Sequence, residues 1–205
     1  MKKGKTQLTS EGVYPEALKR AREEFLRRDP KEILKALDRS ELRLDFLGKS
    51  YQISHPGGEV ELIGREGEVP SVVVILILRY LAHSNAVPLS GEWAPFSKFS
   101  GGIAYVSTFR ENAERRILEC FESSIENFLE AGFRLGGEKG DLGDASIILK
   151  PFPFLLVHVV LWPSDEELPG EVKIFFDGNA AQHLLCEELA TLGELIAEKL
   201  CEALD

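Results

Sequence analysis

Residues 154–162, FLLVHVVLW, form an almost unbroken apolar run, with Pro151 and Pro153 ahead of it and Pro163 behind. A proline nitrogen cannot donate to a β-ladder and is tolerated mainly at strand ends, so the brackets limit the run to one short strand. Its apolarity and its three valines predict a strand covered on both faces. Alternation puts Phe154, Leu156, His158, Val160 and Trp162 on one face and Leu155, Val157, Val159 and Leu161 on the other. A chain holding such a strand must supply covering elements on both sides.

The following residues supply them. Residues 164–170, SDEELPG, read as a solvated acidic turn into a strand over 172–176, which closes at Asp177-Gly178-Asn179. With strands before and after the apolar run, the pattern is an antiparallel meander. Leu185, Leu189, Leu192, Ile196, Leu200 and Ala203 then recur every three or four residues, the signature of an amphipathic helix whose apolar face lies on the sheet. Glu187, Glu188, Glu194, Glu198 and Glu202 are expected on a mostly solvated outer face, the first two favoured at the positive end of the helix dipole.

Upstream, 15–28 and a shorter segment capped by Asp29-Pro30 read as two N-terminal helices. Leu42, Leu44 and Phe46, then Tyr51 and Ile53, alternate around a turn at Gly48-Lys49, and a second turn at His55-Pro56-Gly57-Gly58, of type II pattern, leads to a third strand from Val60. Residues 69–83 are rich in strand formers but longer than most strands, and between strand and helix they read as a buried helix beginning near Pro70. The stretch 85–102 reads as a loop rich in aromatics, 113–133 as one long helix stopped near Gly132, and 136–143 as a glycine-rich connection. The fold class is therefore α+β, two β-meanders forming antiparallel sheet, packed with N-terminal, central and C-terminal helices. Residues 1–13 are a polar tail, and 14–205 are expected to form a single domain.

The chain carries 34 acidic against 24 basic residues, a net charge of −10. That balance argues against nucleic acid, whose sequence-independent binding needs a basic surface, and against docking on anionic lipid. The longest apolar run, 69–82, falls short of the roughly 20 residues that cross a bilayer. No secretory signal pattern is present in MKKGKTQLTS, and the expected location is cytoplasmic. Cys120, Cys186 and Cys201 show no metal-type spacing. Cys186 and Cys201 share the C-terminal helix about 22 Å apart, so all three are expected as reduced thiols.

The order of the segments, from about Tyr14 onward, resembles an uncharacterised domain-of-unknown-function family of anaerobic bacteria and archaea, some of whose members carry an added iron–sulfur module. The residues that carry the resemblance are Gly48-Lys49-Ser50-Tyr51, Arg79-Tyr80-Leu81, Ser90-Gly91-Glu92-Trp93, Leu161-Trp162 with Asp165-Glu166-Glu167, Phe175-Phe176-Asp177 and Glu187-Glu188-Leu189. The resemblance implies an anaerobe's protein near corrinoid, one-carbon or iron–sulfur metabolism. It transfers no site residue, and this chain has no cysteine cluster of its own.

Two functional readings follow. In the first, a non-catalytic binding or accessory module engages a protein or small-molecule cofactor through the aromatic loop and the acidic turn, with Trp93, Phe96, Trp162, Asp165, Glu167 and Asp177 as the binding set. The simpler expectation for Trp93, Phe96 and Phe99 is that they anchor that loop on the core, and the recognition role is the alternative. In the second, a metal-dependent enzyme or metallocofactor carrier uses His158, Asp165, Glu167 and Asp177, with His158, Asp165 and His183 as candidate metal ligands, because oxygen donors and imidazole suit a hard or borderline divalent ion. No HExxH, P-loop or Gly-x-Ser-x-Gly pattern accompanies either reading. Asp177, in an Asp-Gly-Asn turn, is also the residue type that binds its own backbone N–H groups. No particular cofactor, metal or oligomeric state is implied.

Overall fold

A computed structural model describes residues 14–65 and 67–204, so the polar tail expected at 1–13 lies outside the described residues. The described chain divides into two compact units, residues 14–44 with 50–82, and residues 45–49 with 83–204. Among the described residues the strands form a three-stranded and a five-stranded antiparallel sheet, and the fold is α+β with N-terminal, central and C-terminal helices. None of the described helices is long and apolar enough to cross a membrane.

The first unit opens with α1 (Pro15–Leu26) and α2 (Pro30–Leu37). Each begins on a proline, whose missing N–H costs nothing in the first turn, and the Asp29 carboxylate caps α2 by accepting from the Lys31 N–H. The meander β1 (Arg43–Phe46), β2 (Lys49–Ile53) and β3 (Val60–Leu62) follows, with residues 45–49 around its first turn counted in the second unit. Its first turn is Leu47-Gly48, one residue earlier than the sequence predicts, and both have positive φ, as a two-residue hairpin turn of the right twist requires. The second turn is not type II. It contains a cis His55–Pro56 peptide, and the left-handed glycine is Gly58 rather than Gly57. The central helix α3 (Ser71–His83) is buried from Val72 to Leu81, and Arg79 within it pairs with Glu24 of α1. That pairing explains how a helix apolar on every side accommodates one cation.

The second unit is built on the five-stranded sheet. Its strands are β4 (Trp93–Pro95), β5 (Glu138–Lys139), β6 (Ala145–Phe152), β7 (Leu155–Trp162) and β8 (Glu171–Asp177), in the order β4-β8-β7-β6-β5. The bracketed apolar run is thus the central strand. Val157 to Leu161 are all buried, as a strand covered on both faces must be. Two expectations need correction. The aromatic loop contains a strand, β4, that closes one sheet edge, and the glycine-rich connection contributes β5 at the other. Both are too short to carry an alternation signal.

The long helix expected over 113–133 is instead α4 (Gly102–Phe109), a π-helical turn (Arg110–Glu114), α5 (Arg115–Phe121) and α6 (Ile125–Arg134). The break falls where Ser124 turns extended and its hydroxyl accepts from the Asn127 N–H, an N-cap that starts a new helix. Gly132 does not end α6. A Cβ there would lie 2.4 Å from the Ile147 side chain, so the glycine lets α6 close on β6. The C-terminal helix α7 (Cys186–Glu202) packs against α4, the π-helical turn, α5 and α6.

Two more corrections concern α7. Glu188 and Glu198 are buried, Glu198 to 2 % exposure, rather than on a solvated face, because α5 and its neighbours cover that side as well. Cys201 is not a free thiol. It is disulfide-bonded to Cys120 of α5 across a Cα–Cα distance of 5.9 Å, leaving Cys186 as the free cysteine.

Candidate functional site

The register between strands decides which side chains meet. His158 pairs with Phe175 and Ile148, Val160 with Lys173 and Ser146, and Trp93 with Asp177. Cross-strand partners point to the same side, so Trp93, His158, Trp162, Phe175 and Asp177 share one face of the sheet. The opposite face, carrying Val157, Val159, Leu161, Ile174 and Phe176, is the one turned to the helices, since Ile147, the partner of Val159, lies against α6.

His158 sits at the centre of the first face with 0 % exposure, and neither ring nitrogen has a hydrogen-bond partner. The Trp93 indole lies against it, with ring centroids 4.8 Å apart. Gly140 covers it: a Cβ there would stand 2.3 Å from His158 Nε2 and 2.5 Å from Ser146 Oγ, so only glycine allows this approach. The same loop reaches over Val160 and Trp162 at Gly143. It is tied down by the Gly140 N–H to the Ser146 carbonyl and by the Leu142 N–H to Ser146 Oγ. Burial holds the His158 pKa below the usual imidazole value, with the Asp141 carboxylate pulling weakly the other way. Burial thus favours the neutral form of an imidazole that is flanked by an aromatic and lies under a glycine-rich cover. Around it Trp93, Trp162, Phe175 and Ile148 are half-buried.

Asp177 holds Trp93 in place. Its carboxylate accepts from the Ser90 N–H at 2.9 Å, the Ser90 hydroxyl at 2.9 Å, the Gly91 N–H at 3.3 Å and the Asn179 N–H at 2.9 Å. Ser90 Oγ in turn accepts from the Gly178 N–H, and Asn179 Nδ2 donates to the Pro88 carbonyl. The Asp-Gly-Asn turn and the Ser-Gly-Glu-Trp segment are thus one clasp, and β4 begins where it ends. Asp177 belongs to the site as a support rather than as a group open to a ligand.

The other predicted residues lie elsewhere. Phe96 is 2 % exposed and stacked on Phe109 at 4.3 Å, so it anchors the aromatic segment in the core, as does Phe99 against Phe176. Asp165 and Glu167 are on the exposed turn after β7, where Asp165 accepts from the N–H groups of Glu167 and Leu168, which holds its carboxyl below the usual range. His183 lies between β8 and α7, with Nδ1 2.9 Å from the Ser84 hydroxyl and its ring stacked on Phe154. Burial lowers its pKa too. Among the described residues, no group of three or more His, Cys, Asp or Glu side chains is gathered where it could hold a metal ion.

One residue of chemical interest escapes the sequence reading. Glu114, in the π-helical turn, is buried and accepts from the Ile174 N–H at 3.1 Å. β4 pairs with β8 only over Phe175–Asp177, so the carboxylate takes the place of a strand at the uncovered part of that edge. Burial raises its pKa, opposed by the Ile174 N–H and by Lys173 and Arg110. Inside an expected helix it is indistinguishable from an outer-face glutamate, and no local spacing marks it.

No curated protein and no solved structure matches the chain. A family model described as a domain of unknown function, DUF3786, matches residues 31–199. That span takes in the central strand, the clasp and the His158 face, and the chain belongs to the DUF3786 family.

Proposed function

We propose that this chain is a cytoplasmic, non-catalytic recognition module that binds a protein or small-molecule cofactor through the His158 face of its five-stranded sheet. The observation that carries the reading is His158 itself, fully buried with both ring nitrogens unpartnered, between the Trp93 indole and Gly140. Burying a polar ring without partners costs free energy, and such a group in a folded chain calls for an explanation. A ligand that displaces the Gly140 loop and hydrogen-bonds the imidazole supplies one. Trp93 and Trp162 beside it offer the rigid aromatic area on which recognition surfaces rely. The acidic turn at Asp165 and Glu167 follows directly on β7 and adds negative charge at the end of the same strand. The resemblance to a family of anaerobes directs the search toward corrinoid, one-carbon or iron–sulfur partners.

The test is native mass spectrometry, elemental analysis and a visible spectrum on anaerobically purified protein, wild type beside Trp93→Ala. The reading predicts a bound species that the folded variant loses. Equal retention by both chains, or a wild type that carries nothing and binds none of the corrinoid and iron–sulfur candidates, contradicts it.

A further inference from the structure

A cavity of about 330 Å³ lies between the π-helical turn and the uncovered edge of β8, within the range of small-molecule sites. Arg110, Glu111, Glu114 and Arg115 line one wall, and Glu171 and Lys173 belong to the other. The π-helical geometry organises the first wall. The Arg115 N–H donates to the Arg110 carbonyl five residues back, and Arg110 and Glu114, four residues apart, lie on the same side of the turn. Single π-turns interrupt helices at a cost and recur at functional sites.

Two of the cations are already paired, Arg115 with Glu111 at 3.0 Å and Lys173 with Glu171 at 2.6 Å, whereas Arg110 and Glu114 do not close on each other. Glu114 Oε1 is occupied by the Ile174 N–H, while Oε2 lies 3.8 Å from both the Arg110 Nε and the Lys173 Nζ. At that separation neither contact is a hydrogen bond. Glu114 Oε2 keeps acceptor capacity, and Arg110 keeps donors for an oxyanion. A simple anion entering the cavity meets the Glu114 carboxylate. A simple cation beside Glu114 meets the Arg110 guanidinium, 3.8 Å from Oε2. A molecule that carries both charges a few ångströms apart satisfies both sets, and Leu118 provides an apolar wall beside them.

We infer that this cavity is a binding site for a small zwitterion of the α-amino acid class, its ammonium on Glu114 and its carboxylate on Arg110. The inference does not depend on what binds at the His158 face.

Saturation-transfer NMR and calorimetry on the full chain test it, with the natural α-amino acids as probes and acetate and ethylamine as controls bearing one charge each. At least one amino acid binds, and the two controls do not. Glu114→Gln keeps an oxygen acceptor for the Ile174 N–H, and Arg110→Gln removes an exposed guanidinium, so both variants fold. Each weakens binding about tenfold or more, as loss of a charge-assisted contact does. The inference is overturned if no amino acid binds the wild type, if acetate or ethylamine binds as well as the amino acid, or if both variants bind unchanged.

Discussion

At the scale of single residues, two positions decide whether the His158 face exists. Gly140 must be glycine, because a methyl group there stands 2.3 Å from His158 Nε2. Gly140→Ala is expected to destabilise the chain by about 1–3 kcal/mol, the usual result of forcing an atom into a packed site. It also lifts the loop from the imidazole. Denaturant unfolding measures the first effect, and tryptophan emission the second, since both tryptophans of the chain, Trp93 and Trp162, stand on this face. Asp177→Ala leaves the Ser90, Gly91 and Asn179 donors without their acceptor, at a cost of about 2–4 kcal/mol, and frees Trp93. A stability unchanged by Asp177→Ala would show that the clasp does not hold the segment. Asp177 was legible in the sequence as a turn carboxylate. That it binds a segment more than eighty residues away was not, because the Asp-Gly-Asn pattern reports only local donors.

At the scale of elements, the strongly periodic or strongly apolar segments were readable and the short or interrupted ones were not. The two N-terminal helices, the central buried helix, β7, β8 and α7 each carry enough residues for their period to show. The three-residue β4 and two-residue β5 carry none, and the helical region 102–134 is divided by a π-turn and a serine cap that its stripe of apolar residues conceals. Pairing between elements was hidden for a similar reason. Cys120 and Cys201 lie 81 residues apart, and only the packing of α5 on α7 brings them together. Protein handled in air should therefore alkylate at Cys186 alone when unfolded without reductant, and at three cysteines after reduction, as intact mass reads directly. Closing a loop of this length is worth about 4 kcal/mol in the chain-entropy account, so Cys120→Ser should lower stability by up to that amount. In a compartment that keeps thiols reduced, the same pair stands as two thiols.

At the scale of the whole molecule, buried ionisable groups give opposing pH dependences. Burial raises the pKa of Glu114 and Glu198, so the folded chain holds these protons more tightly than the unfolded one. Their contribution is present below the unfolded carboxyl value, about 4.3, and is lost as pH rises through the folded values. Burial lowers His158 and His183, whose contribution is present above the unfolded imidazole value, about 6.5, and is lost as pH falls through the folded values. Glu198→Gln should therefore gain on the wild type as pH rises from about 4.3, and His158→Phe should gain as pH falls below about 6.5. Each difference has a slope of at most about 1.4 kcal/mol per pH unit, measurable by denaturant unfolding across the range. Parallel curves for variant and wild type would show that these groups are not perturbed as their burial requires.

The central claim, that recognition takes place on the face organised around His158, is tested most directly by hydrogen–deuterium exchange with and without the species that the protein retains on anaerobic purification. The account predicts protection confined to peptides covering residues 90–95, 138–146, 156–162 and 171–178, and its loss in Trp93→Ala. Protection that leaves those peptides unchanged and falls elsewhere in the chain would contradict it.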